Sequence, residues 1–364
     1  MPEPVGRDLV LTRDQMLMWL RTKLPEADDL QMSALTAPEG SGFSNDTLLF
    51  DVSFREGQER RQQGFVARIS PSGFPVFPFY DVGKQHRVMK IIAENSDVPM
   101  PRMHWNEEDA AIIGAPFFVM ERLVGRVPPD NPPYHIGGFM TEIPEADRAA
   151  IWLNGLEVMS RIHKLDVEEL PVEFLAWPHL GATPLEQHMT YYERYLEWAA
   201  RGKEQPTTEA ALDWLKKNAP ADEPTAISWG DSRIGNMMFR DCRPVGVFDW
   251  EMVALGNPEQ DLAWWLFVDA TLSEGAGLPR LAGLPGRDET VERYEELVGR
   301  EVRHLHFYEV WAGFRFAVIM IRLMQRGVEY GTTPPEAGYE SEKNNMVTVL
   351  LAKLLGLPPP GSAG

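Results

Sequence analysis

The chain of 364 residues has a single cysteine, Cys242, and this scarcity removes two kinds of structure. One cysteine cannot form an intrachain disulfide, and it cannot supply the several thiolates of a cysteine-rich zinc site. Cys242 follows Asp241 in a predicted turn, where a thiol is ordinarily unreactive. We therefore expect a fold that is held together without covalent cross-links.

Basic residues are also fewer than acidic ones. The chain has 35 Lys and Arg against 54 Asp and Glu, which gives a formal net charge of -19. A nucleic-acid-binding surface needs a basic stripe that replaces the counterions around phosphates, so this composition argues against a nucleic-acid partner. An acidic surface would suit a cationic substrate, although it more often serves only to keep a protein soluble.

Long hydrophobic runs are missing as well. No stretch approaches the ~20 apolar residues that a membrane-spanning helix requires, and the most apolar helical run, residues 316–324, is interrupted by Arg322. The first residues, Met1 to Pro4, lack the basic flank and apolar core of a secretory signal. We therefore expect a cytoplasmic protein with no membrane partner.

Two enzyme motifs are absent from the sequence. There is no Walker A loop. A nucleophile elbow needs the pattern Gly-x-Ser-x-Gly. The segment that starts at Gly230 comes near to it, but the second glycine is Gly235, one position too late.

The length and the pattern that are present predict two lobes. A composition of 44% hydrophobic and 24% charged residues is typical of folded globular proteins, and 364 residues exceed what one core usually supports. Strand-like patterns prevail in the first third, and helical spacing prevails beyond residue 140. We expect an α+β protein with a small lobe over residues 1–121 that contains an antiparallel sheet, a larger mainly helical lobe over residues 122–357, and a disordered tail over residues 358–364.

Individual elements follow from hydrophobic periodicity and from proline and glycine. Helices are predicted over residues 12–24, 82–94, 148–164, 184–201, 209–217 and 288–327. Strands are predicted over residues 33–36, 47–54, 64–70 and 112–121, with a tip rich in glycine and serine between the first two. Residues 125–139, which are rich in proline and glycine, are predicted to form a loop.

The most informative segment is residues 227–251, where polar side chains stand at the ends of two short apolar stretches. Residues 237–239 and 245–248 are predicted to pair as an antiparallel hairpin. This pairing places Asn236, at the foot of the outgoing strand, beside Asp249, at the end of the returning strand. Asp231 lies on the loop just upstream, so the three side chains are expected to converge.

Three convergent oxygen-bearing side chains suit a hard cation. Mg²⁺ prefers a few carboxylate or amide oxygens and completes its shell with water and phosphate oxygens. Asn236 and Asp249 would hold the metal, and Asp231 would remain free to orient a nucleophilic hydroxyl. The alternative is an ordinary hairpin with exposed polar ends. The ordered set, with Asn five residues after Asp and then a strand that ends in Asp-Trp-Glu, argues against that alternative.

This segment resembles the Brenner-type motif of the aminoglycoside and choline kinase-like phosphotransferases, which are relatives of the protein kinases. Their pattern is His-Gly-Asp, four variable residues, Asn, and then a strand that ends in Asp. The resemblance places Asp231 on the catalytic aspartate and Asn236 and Asp249 on the two metal ligands. Asp261 matches a downstream aspartate that braces the catalytic loop. The resemblance implies a two-lobed, protein-kinase-like fold.

The resemblance covers roughly residues 30–330 and extends to the nucleotide site. Residues 40–45 resemble the nucleotide-covering loop, Arg68 falls where the family commonly has a phosphate-contacting lysine, and residues 120–123 fall on the linker whose backbone meets adenine. The residues implied in nucleotide binding are Ser41, Gly42, Phe43, Ser44, Arg68, Glu121 and Leu123. The chain is especially similar to the phosphotransferase-like domain found beside, or fused to, acyl-CoA dehydrogenases.

Three residues depart from the family pattern. Trp229 replaces the motif histidine, a position that mostly packs. Arg68 replaces lysine but is still able to pair with phosphate. Gln85 stands about where a helix glutamate normally pairs with that lysine, so we expect it to hold Arg68 by a hydrogen bond. His163, on an apolar helical face, is expected to be a buried, hydrogen-bonded histidine rather than a catalytic base.

The implied activity is transfer of the γ-phosphate of ATP, with Mg²⁺, to a hydroxyl of a small molecule. Arg233 is either a second cation for the transferring group or a member of a surface ion pair. The acceptor is open among hydroxyacyl thioesters, aminoglycoside-like compounds and other metabolites, because fold does not select among them. A pseudokinase, which binds nucleotide or serves as a scaffold without transfer, is the alternative. Either a monomer or a homodimer is expected.

Overall fold

The structure is a computed structural model that describes residues 7–38, 46–221 and 224–361. Within these ranges, the first third contains two helices and five strands. The helices are α1 (Leu9–Lys23) and α2 (Val82–Asn95), and the strands are β1 (Asp28–Met32), β2 (Asp46–Glu56), β3 (Glu59–Ile69), β4 (Met103–Glu107) and β5 (Phe117–Glu121). The side chain of Asp8 caps α1 by accepting hydrogen bonds from the first-turn amides of Val10 and Leu11.

The five strands form one antiparallel sheet in the order β1-β2-β3-β5-β4. The long hairpin of β2 and β3 pairs without interruption from Asp46 opposite Ile69 to Glu56 opposite Glu59. Its two-residue turn starts at Gly57, whose φ of 61° suits a residue without a Cβ atom. This hairpin carries the candidate phosphate-binding side chain, Arg68, on an inner strand of the sheet.

The remainder of the described chain is mainly helical. Its helices are α3 (Glu145–His163), α4 (Pro184–Ala200), α5 (Pro206–Asn218), α6 (Glu259–Ala270), α7 (Arg287–Val298), α8 (Leu305–Glu329), α9 (Pro335–Lys343) and α10 (Met346–Leu355). Two short antiparallel ribbons lie between α5 and α6. They are formed by β6 (Ala226–Ser228) with β9 (Ala254–Gly256), and by β7 (Met237–Arg240) with β8 (Arg243–Val247).

Alternate residues of β3 face different cores. Phe65, Ala67 and Ile69 belong to a cluster that also contains residues of α1, β1 and β2. Val66 belongs to a second cluster, which extends through α2 and α3 to the β7–β8 ribbon. A third cluster joins α4, α5, α6, α8 and α10. The second cluster therefore continues from the sheet into the helical part and positions the ribbon beneath it.

Several predicted elements need correction. The predicted strand over residues 33–36 is wrong, because the strand there is Asp28–Met32 and Thr36 makes only an isolated bridge with Leu49. The predicted strand over residues 112–121 is confirmed only from Phe117. The predicted helix over residues 288–327 is two helices, α7 and α8, because the chain takes the left-handed conformation at Gly299 (φ 74°) and again at His304 (φ 55°).

The predicted two-lobed α+β arrangement is confirmed, with the antiparallel sheet in the first third and the helices after it. The lobe boundary between residues 121 and 122 stays a prediction, as does the disordered tail. In the described part of the chain, no helix combines enough length and apolar character to cross a membrane.

Candidate active site

Asp261, at the start of α6, fixes the loop that carries Asp231. Its buried carboxylate accepts hydrogen bonds from the hydroxyl of Ser228 (2.8 Å) and from the backbone amides of Trp229 (2.7 Å) and Gly230 (2.9 Å). It also lies 2.9 Å from Nε2 of His163. Burial alone would raise the pKa of Asp261, but the hydrogen bonds from His163, Gly230 and Ser228 outweigh it and hold the pKa below its usual value. The carboxylate is therefore a fixed anion under the loop.

His163 has the surroundings that the sequence predicted. Its side chain is only 1% exposed, and its Nδ1 lies 2.6 Å from the hydroxyl of Tyr294 while its Nε2 contacts Asp261. Trp229 is also completely buried, and its indole N–H donates to the carbonyl of Phe248 at 2.8 Å. The expected packing role of Trp229 is therefore confirmed, and its hydrogen bond ties the catalytic-loop candidate to the β8 end of the ribbon.

The carboxylate of Asp231 accepts hydrogen bonds from three side chains. Nε1 of Trp264 donates at 2.7 Å, Nδ2 of Asn236 at 2.6 Å, and Nε of Arg233 approaches both oxygens at 3.1 and 3.2 Å. Asn236 also donates to the backbone carbonyl of Asp231 at 2.9 Å. These contacts fix the orientation of the carboxylate.

The β7–β8 ribbon brings Asn236 and Asp249 to the same end, as the antiparallel pairing predicted. Met237 pairs with Val247, and the amide of Phe248 donates to the carbonyl of Asn236 at 2.9 Å. Asp249 follows directly and has a φ of 61°, a left-handed conformation that costs a non-glycine residue energy. Such conformations concentrate at functional sites, where the surrounding structure enforces them.

Arg68 connects the sheet to this site. Its Nη2 donates to Oδ1 of Asp249 at 2.8 Å, and its Nη1 donates to the hydroxyl of Thr47 on β2 at 3.0 Å. The expected hydrogen bond to Gln85 is not formed, since these two partners account for the hydrogen bonds of Arg68 among the described residues. Gln85 is instead buried on α2, where it lines a separate cavity.

Arg233 is the most strongly paired cation of the site. Its Nη1 lies 2.5 and 2.6 Å from the two carboxylate oxygens of Asp130, in addition to the contact of its Nε with Asp231. Burial would lower the pKa of Arg233, but the charges of Asp130, Asp231 and Asp249 raise it, so the guanidinium stays charged. Its side chain is 20% exposed, so the ion pair, which was one of the two alternatives for Arg233, is a partly buried network beside Asp231, and the role as a second cation stays a prediction.

The oxygen atoms around the ribbon end fit Mg²⁺. The amide nitrogen of Asn236 donates to Asp231, so the amide oxygen of Asn236 points toward other partners. Arg68 contacts one carboxylate oxygen of Asp249 and leaves the second oxygen for a metal ion. One amide and one carboxylate oxygen are the hard ligands that Mg²⁺ takes from proteins when phosphates and water supply the rest. No group of three or more His, Cys, Asp or Glu residues with metal-ligand geometry occurs in the described ranges.

The linker after β5 lies against the ribbon. Glu121 is the last residue of β5 and pairs with Phe65, and the side chain of Leu123 packs against Gly246 so closely that a Cβ there would lie 2.5 Å from it. Arg126 forms an isolated bridge with Phe239. The proposed nucleotide contacts of Ser41, Gly42, Phe43 and Ser44 lie outside the described residues.

A cavity of about 350 Å³ lies next to the catalytic-loop candidate. Residues of α2, α4, α8, the segment after Phe174 and the segment after Trp250 line it. It contains two cations, Lys84 and Arg315. Burial lowers the pKa of Lys84 to about 8, although Asp81 and Glu251 favour its charged form.

Sequence reasoning missed four polar contributors to this region: Thr47, Asp130, Trp264 and Arg315. Trp264 is 2% exposed and packs in the cluster around α8, and its indole N–H also donates to Asp231. Asp130 lies in the predicted loop of residues 125–139, where no periodicity signals a role. Nothing in the local sequence could have joined these residues to Asp231, which is 33 to 184 positions away, because tertiary packing alone brings them together.

The fold and the site together define a kinase-like phosphotransferase: a β-sheet lobe that contributes a basic side chain, above a helical lobe that contributes a braced Asp loop and a ribbon with Asn and Asp at its end. The sequence model of the Phosphotransferase enzyme family matches residues 38–300. The chain belongs to this family.

The chain is also similar to curated proteins that carry the name of acyl-CoA dehydrogenases. The Arabidopsis thaliana protein IBR3, which carries the name of an acyl-CoA dehydrogenase, is 28% identical over 308 residues, covering 79% of the present chain and 36% of the relative. The chain spans about a third of the length of the curated relatives it matches. The predicted similarity to a domain associated with acyl-CoA dehydrogenases is thus confirmed.

Solved structures share the fold. A Ralstonia eutropha JMP134 protein that is named as an aminoglycoside phosphotransferase superimposes with a TM-score of 0.68 at 23% identity, over 95% of the present chain and 98% of that protein. A thermostable mutant of the aminoglycoside phosphotransferase APH(4)-Ia, in a complex with ADP and hygromycin B, gives a TM-score of 0.53 at 15% identity, over 96% and 100% of the two chains. At these identities the likeness establishes the fold.

Proposed function

We propose that the protein transfers the γ-phosphoryl group of ATP to a hydroxyl group of a small molecule, with Mg²⁺ held by Asn236 and Asp249. The observation that carries the proposal is the convergence of Asp231, Asn236, Asp249 and Arg68 at the end of one ribbon. The solved relative that binds ADP together with hygromycin B supports a nucleotide and a hydroxylated small molecule as the two substrates.

Asp231 acts on the acceptor. Its carboxylate accepts a hydrogen bond from the acceptor hydroxyl and aligns the oxygen with the γ-phosphorus. The new bond forms between this oxygen and phosphorus, the bond from phosphorus to the β–γ bridging oxygen breaks, and ADP leaves with that electron pair. The hydroxyl proton passes to Asp231. Trp264 and Asn236 keep the carboxylate in place during this step.

Arg68 and Arg233 stabilise the negative charge of the phosphate groups. Arg68 exchanges part of its contact with Asp249 for oxygens of the α- and β-phosphates, and Arg233 stabilises the transferring group beside Asp231. Mg²⁺, when bound, neutralises the phosphate oxygens. The backbones of Glu121 and Leu123 receive the adenine, and those of Ser41, Gly42, Phe43 and Ser44 cover the γ-phosphate.

One observation favours the alternative of a nucleotide-binding module without transfer activity. Both functional carboxylates are already paired with arginines, Asp231 with Arg233 and Asp249 with Arg68. While Arg233 stays at the carboxylate of Asp231, it occupies the oxygens that an acceptor hydroxyl would have to contact. Transfer therefore requires that Arg233 remains bound mainly to Asp130 when the acceptor enters.

A coupled ADP-release assay decides between phosphoryl transfer and nucleotide binding without transfer. The wild type is screened with Mg²⁺ and ATP against hydroxyacyl-CoAs, aminoglycosides, macrolides and amino alcohols. We expect Asp231→Asn to lower kcat by about 10²–10⁴ while ATP binding changes little. Asp241→Asn, which changes an exposed carboxylate in the ribbon turn, is the matched control. ATP binding without acceptor-stimulated release, and unaffected by Asp231→Asn, would establish the module instead.

A further inference from the structure

The cavity beside the catalytic loop has walls that are rich in aromatic side chains, and two acidic residues, Asp81 and Glu251, line it near Lys84. Its volume of about 350 Å³ lies within the range of small-molecule sites. Phe77, Trp177, Tyr191 and Tyr192 all line it. Trp177 and Tyr191 stack with their ring centroids 5.0 Å apart, which gives part of the wall a flat apolar face. Such walls suit an apolar ligand body.

Arg315, on α8, lines the same cavity and is 2% exposed. Its Nη2 donates to the carbonyl of Gly230 at 3.3 Å. Its Nε and Nη1 are buried and find no hydrogen-bond acceptor among the residues that the structure describes. A buried guanidinium ordinarily uses its donors fully, because each unpaired buried donor costs free energy.

The charge of Arg315 also lacks a direct counterion. No carboxylate of the described residues lies within 4 Å of its nitrogens, whereas Lys84, the other cation of the cavity, is influenced by Asp81 and Glu251. What surrounds the Arg315 guanidinium is aromatic: its centre lies 4.9 Å from the ring of Trp264 and 5.2 Å from that of Tyr192. These ring faces stabilise a cation, but they cannot accept hydrogen bonds from Nε and Nη1 as a carboxylate would.

We propose that this cavity binds the anionic group of a ligand with an apolar body, and that the group, a carboxylate or a phosphate, pairs with Arg315. The proposal that this ligand is the phosphoryl acceptor rests on the function proposed above. It is supported by position, since Gly230, whose carbonyl contacts Arg315, immediately precedes Asp231, and Trp264 contacts both Arg315 and Asp231.

The same geometry disfavours an amine at this point. An aromatic cage binds ammonium groups through its ring faces, but here Arg315 already occupies the faces of Tyr192 and Trp264. A second cation would be repelled by the guanidinium and would leave Nε and Nη1 without an acceptor. The strongly acidic composition of the whole chain therefore does not describe the charge preference of this cavity.

Direct binding tests the inference without ATP. Calorimetry with 3-phenylpropionate, the neutral 3-phenylpropanamide and the cationic 3-phenylpropylamine compares three charges on one apolar body, and phenyl phosphate tests the second anion. We expect at least one anion to bind the wild type about tenfold or more tightly than the amide, and the amine to bind most weakly. Whether the carboxylate or the phosphate binds more tightly identifies the group that the site prefers.

Two variants of buried arginines on α8 provide the comparison. Arg315→Met should bind the anion about tenfold or more weakly and lose the preference over the amide. Arg322→Met should retain both, because Arg322 is equally buried but donates to Pro75 and Gln325 outside this cavity. Arg315→Lys keeps the charge and should retain part of the preference, which guards against a Met variant that does not fold.

Equal binding of the anions and the amide by the wild type would overturn the inference, as would anion binding that is unchanged in Arg315→Met. The outcome is separable from phosphoryl transfer. If the wild type binds the anion with the dependence on Arg315 given above but turns over no acceptor, the anion site stands and the proposed function fails. If an acceptor is turned over, Arg315→Met should raise its KM by about tenfold and leave the KM of ATP unchanged.

Discussion

At the scale of single residues, Arg68 has two tasks that a lysine would perform differently. It spans Thr47 and Asp249 with separate nitrogens of one planar group, which an ammonium on a flexible stem does not reproduce. We expect Arg68→Met to raise the KM of ATP roughly tenfold to a hundredfold, since hydrogen bonds to charged groups contribute about 1.5–3 kcal/mol. The KM of ATP for Arg68→Lys should lie between those of the wild type and Arg68→Met. Steady-state kinetics at saturating acceptor measure the effect.

The control for Arg68 lies on the same strand. Arg61, near the other end of β3, pairs with Glu56 at 2.9 Å and has a side chain that is 57% exposed. Arg61→Met should leave the KM of ATP unchanged, because exposed ion pairs contribute little. If Arg68→Met also leaves it unchanged, Arg68 only ties the sheet to Asp249.

His188 gives a residue-scale prediction about pH. Burial, followed by the charge of Arg315, lowers the pKa of His188 to about 3. An unfolded chain binds a proton at this residue below pH ~6.5, while the folded one does not until about pH 3. The contribution of His188 to stability is therefore complete above pH ~6.5 and is lost progressively as the pH falls from there toward 3.

Urea unfolding at pH 7.5 and pH 5 measures this loss. The free energy of unfolding of the wild type should fall more than that of His188→Gln between these values, because glutamine does not titrate. Equal losses in both proteins would show that His188 is protonated in the folded state. His306→Gln is the comparison variant.

At the scale of elements, Asp261 is the point where α3, α6, β6 and the catalytic loop meet. Removing its carboxylate leaves the buried donors of Ser228, Trp229 and Gly230 without an acceptor. We expect Asp261→Ala to lower the free energy of unfolding by at least about 3 kcal/mol, and Ser228→Ala, which removes a single donor, by about 1 kcal/mol. Urea unfolding measures both. If Asp261→Ala and Ser228→Ala lower the free energy of unfolding by similar small amounts, the loop is fixed by other contacts.

The β7–β8 ribbon was predictable because its signals are local. An apolar strand, a polar turn and a second apolar strand determine the pairing, and the pairing determines that Asn236 and Asp249 meet. The turn itself, at Asp241 and Cys242, adopts positive φ at both residues, as a two-residue hairpin turn requires. Burial and the charges of Asp147 and Asp241 raise the pKa of Cys242, in agreement with the expected unreactive thiol.

Elements with weaker local signals were missed or misplaced. β4 (Met103–Glu107) contains the polar residues His104, Asn106 and Glu107, and only its pairing with β5 makes it a strand. The strand expected at residues 33–36 is displaced to Asp28–Met32, because the register is set by β2 rather than by local propensity. The division between α7 and α8 depends on a left-handed backbone at His304 that periodicity does not reveal.

At the scale of the whole molecule, hydrogen bonds add to the shared hydrophobic cluster in joining the first third of the chain to the helical part. Arg68 reaches Asp249, the amide of Val247 donates to the carbonyl of Pro99 at 3.0 Å, and Lys84 donates to the carbonyl of Val253 at 3.2 Å. All three meet the segment that follows β7. A ligand that bridges the sheet and this segment therefore acts on the junction that holds the two parts together.

This junction leads to a prediction about stability. Magnesium and ATP, bound between Arg68 and the ribbon end, would stabilise the folded chain by about 2.7 kcal/mol at a ligand concentration one hundred times Kd, and so raise Tm by a few degrees. Thermal unfolding is measured with MgATP, with ATP plus EDTA, and with MgGTP. The comparison separates the contribution of the metal to the increase in Tm from that of the nucleobase. Asp249→Asn should lose the part that depends on magnesium, because an amide is a weaker ligand than a carboxylate, while Asp241→Asn should keep it. A shift in Tm that EDTA does not reduce would mean that the nucleotide binds without metal, and no shift at all would contradict the nucleotide site itself.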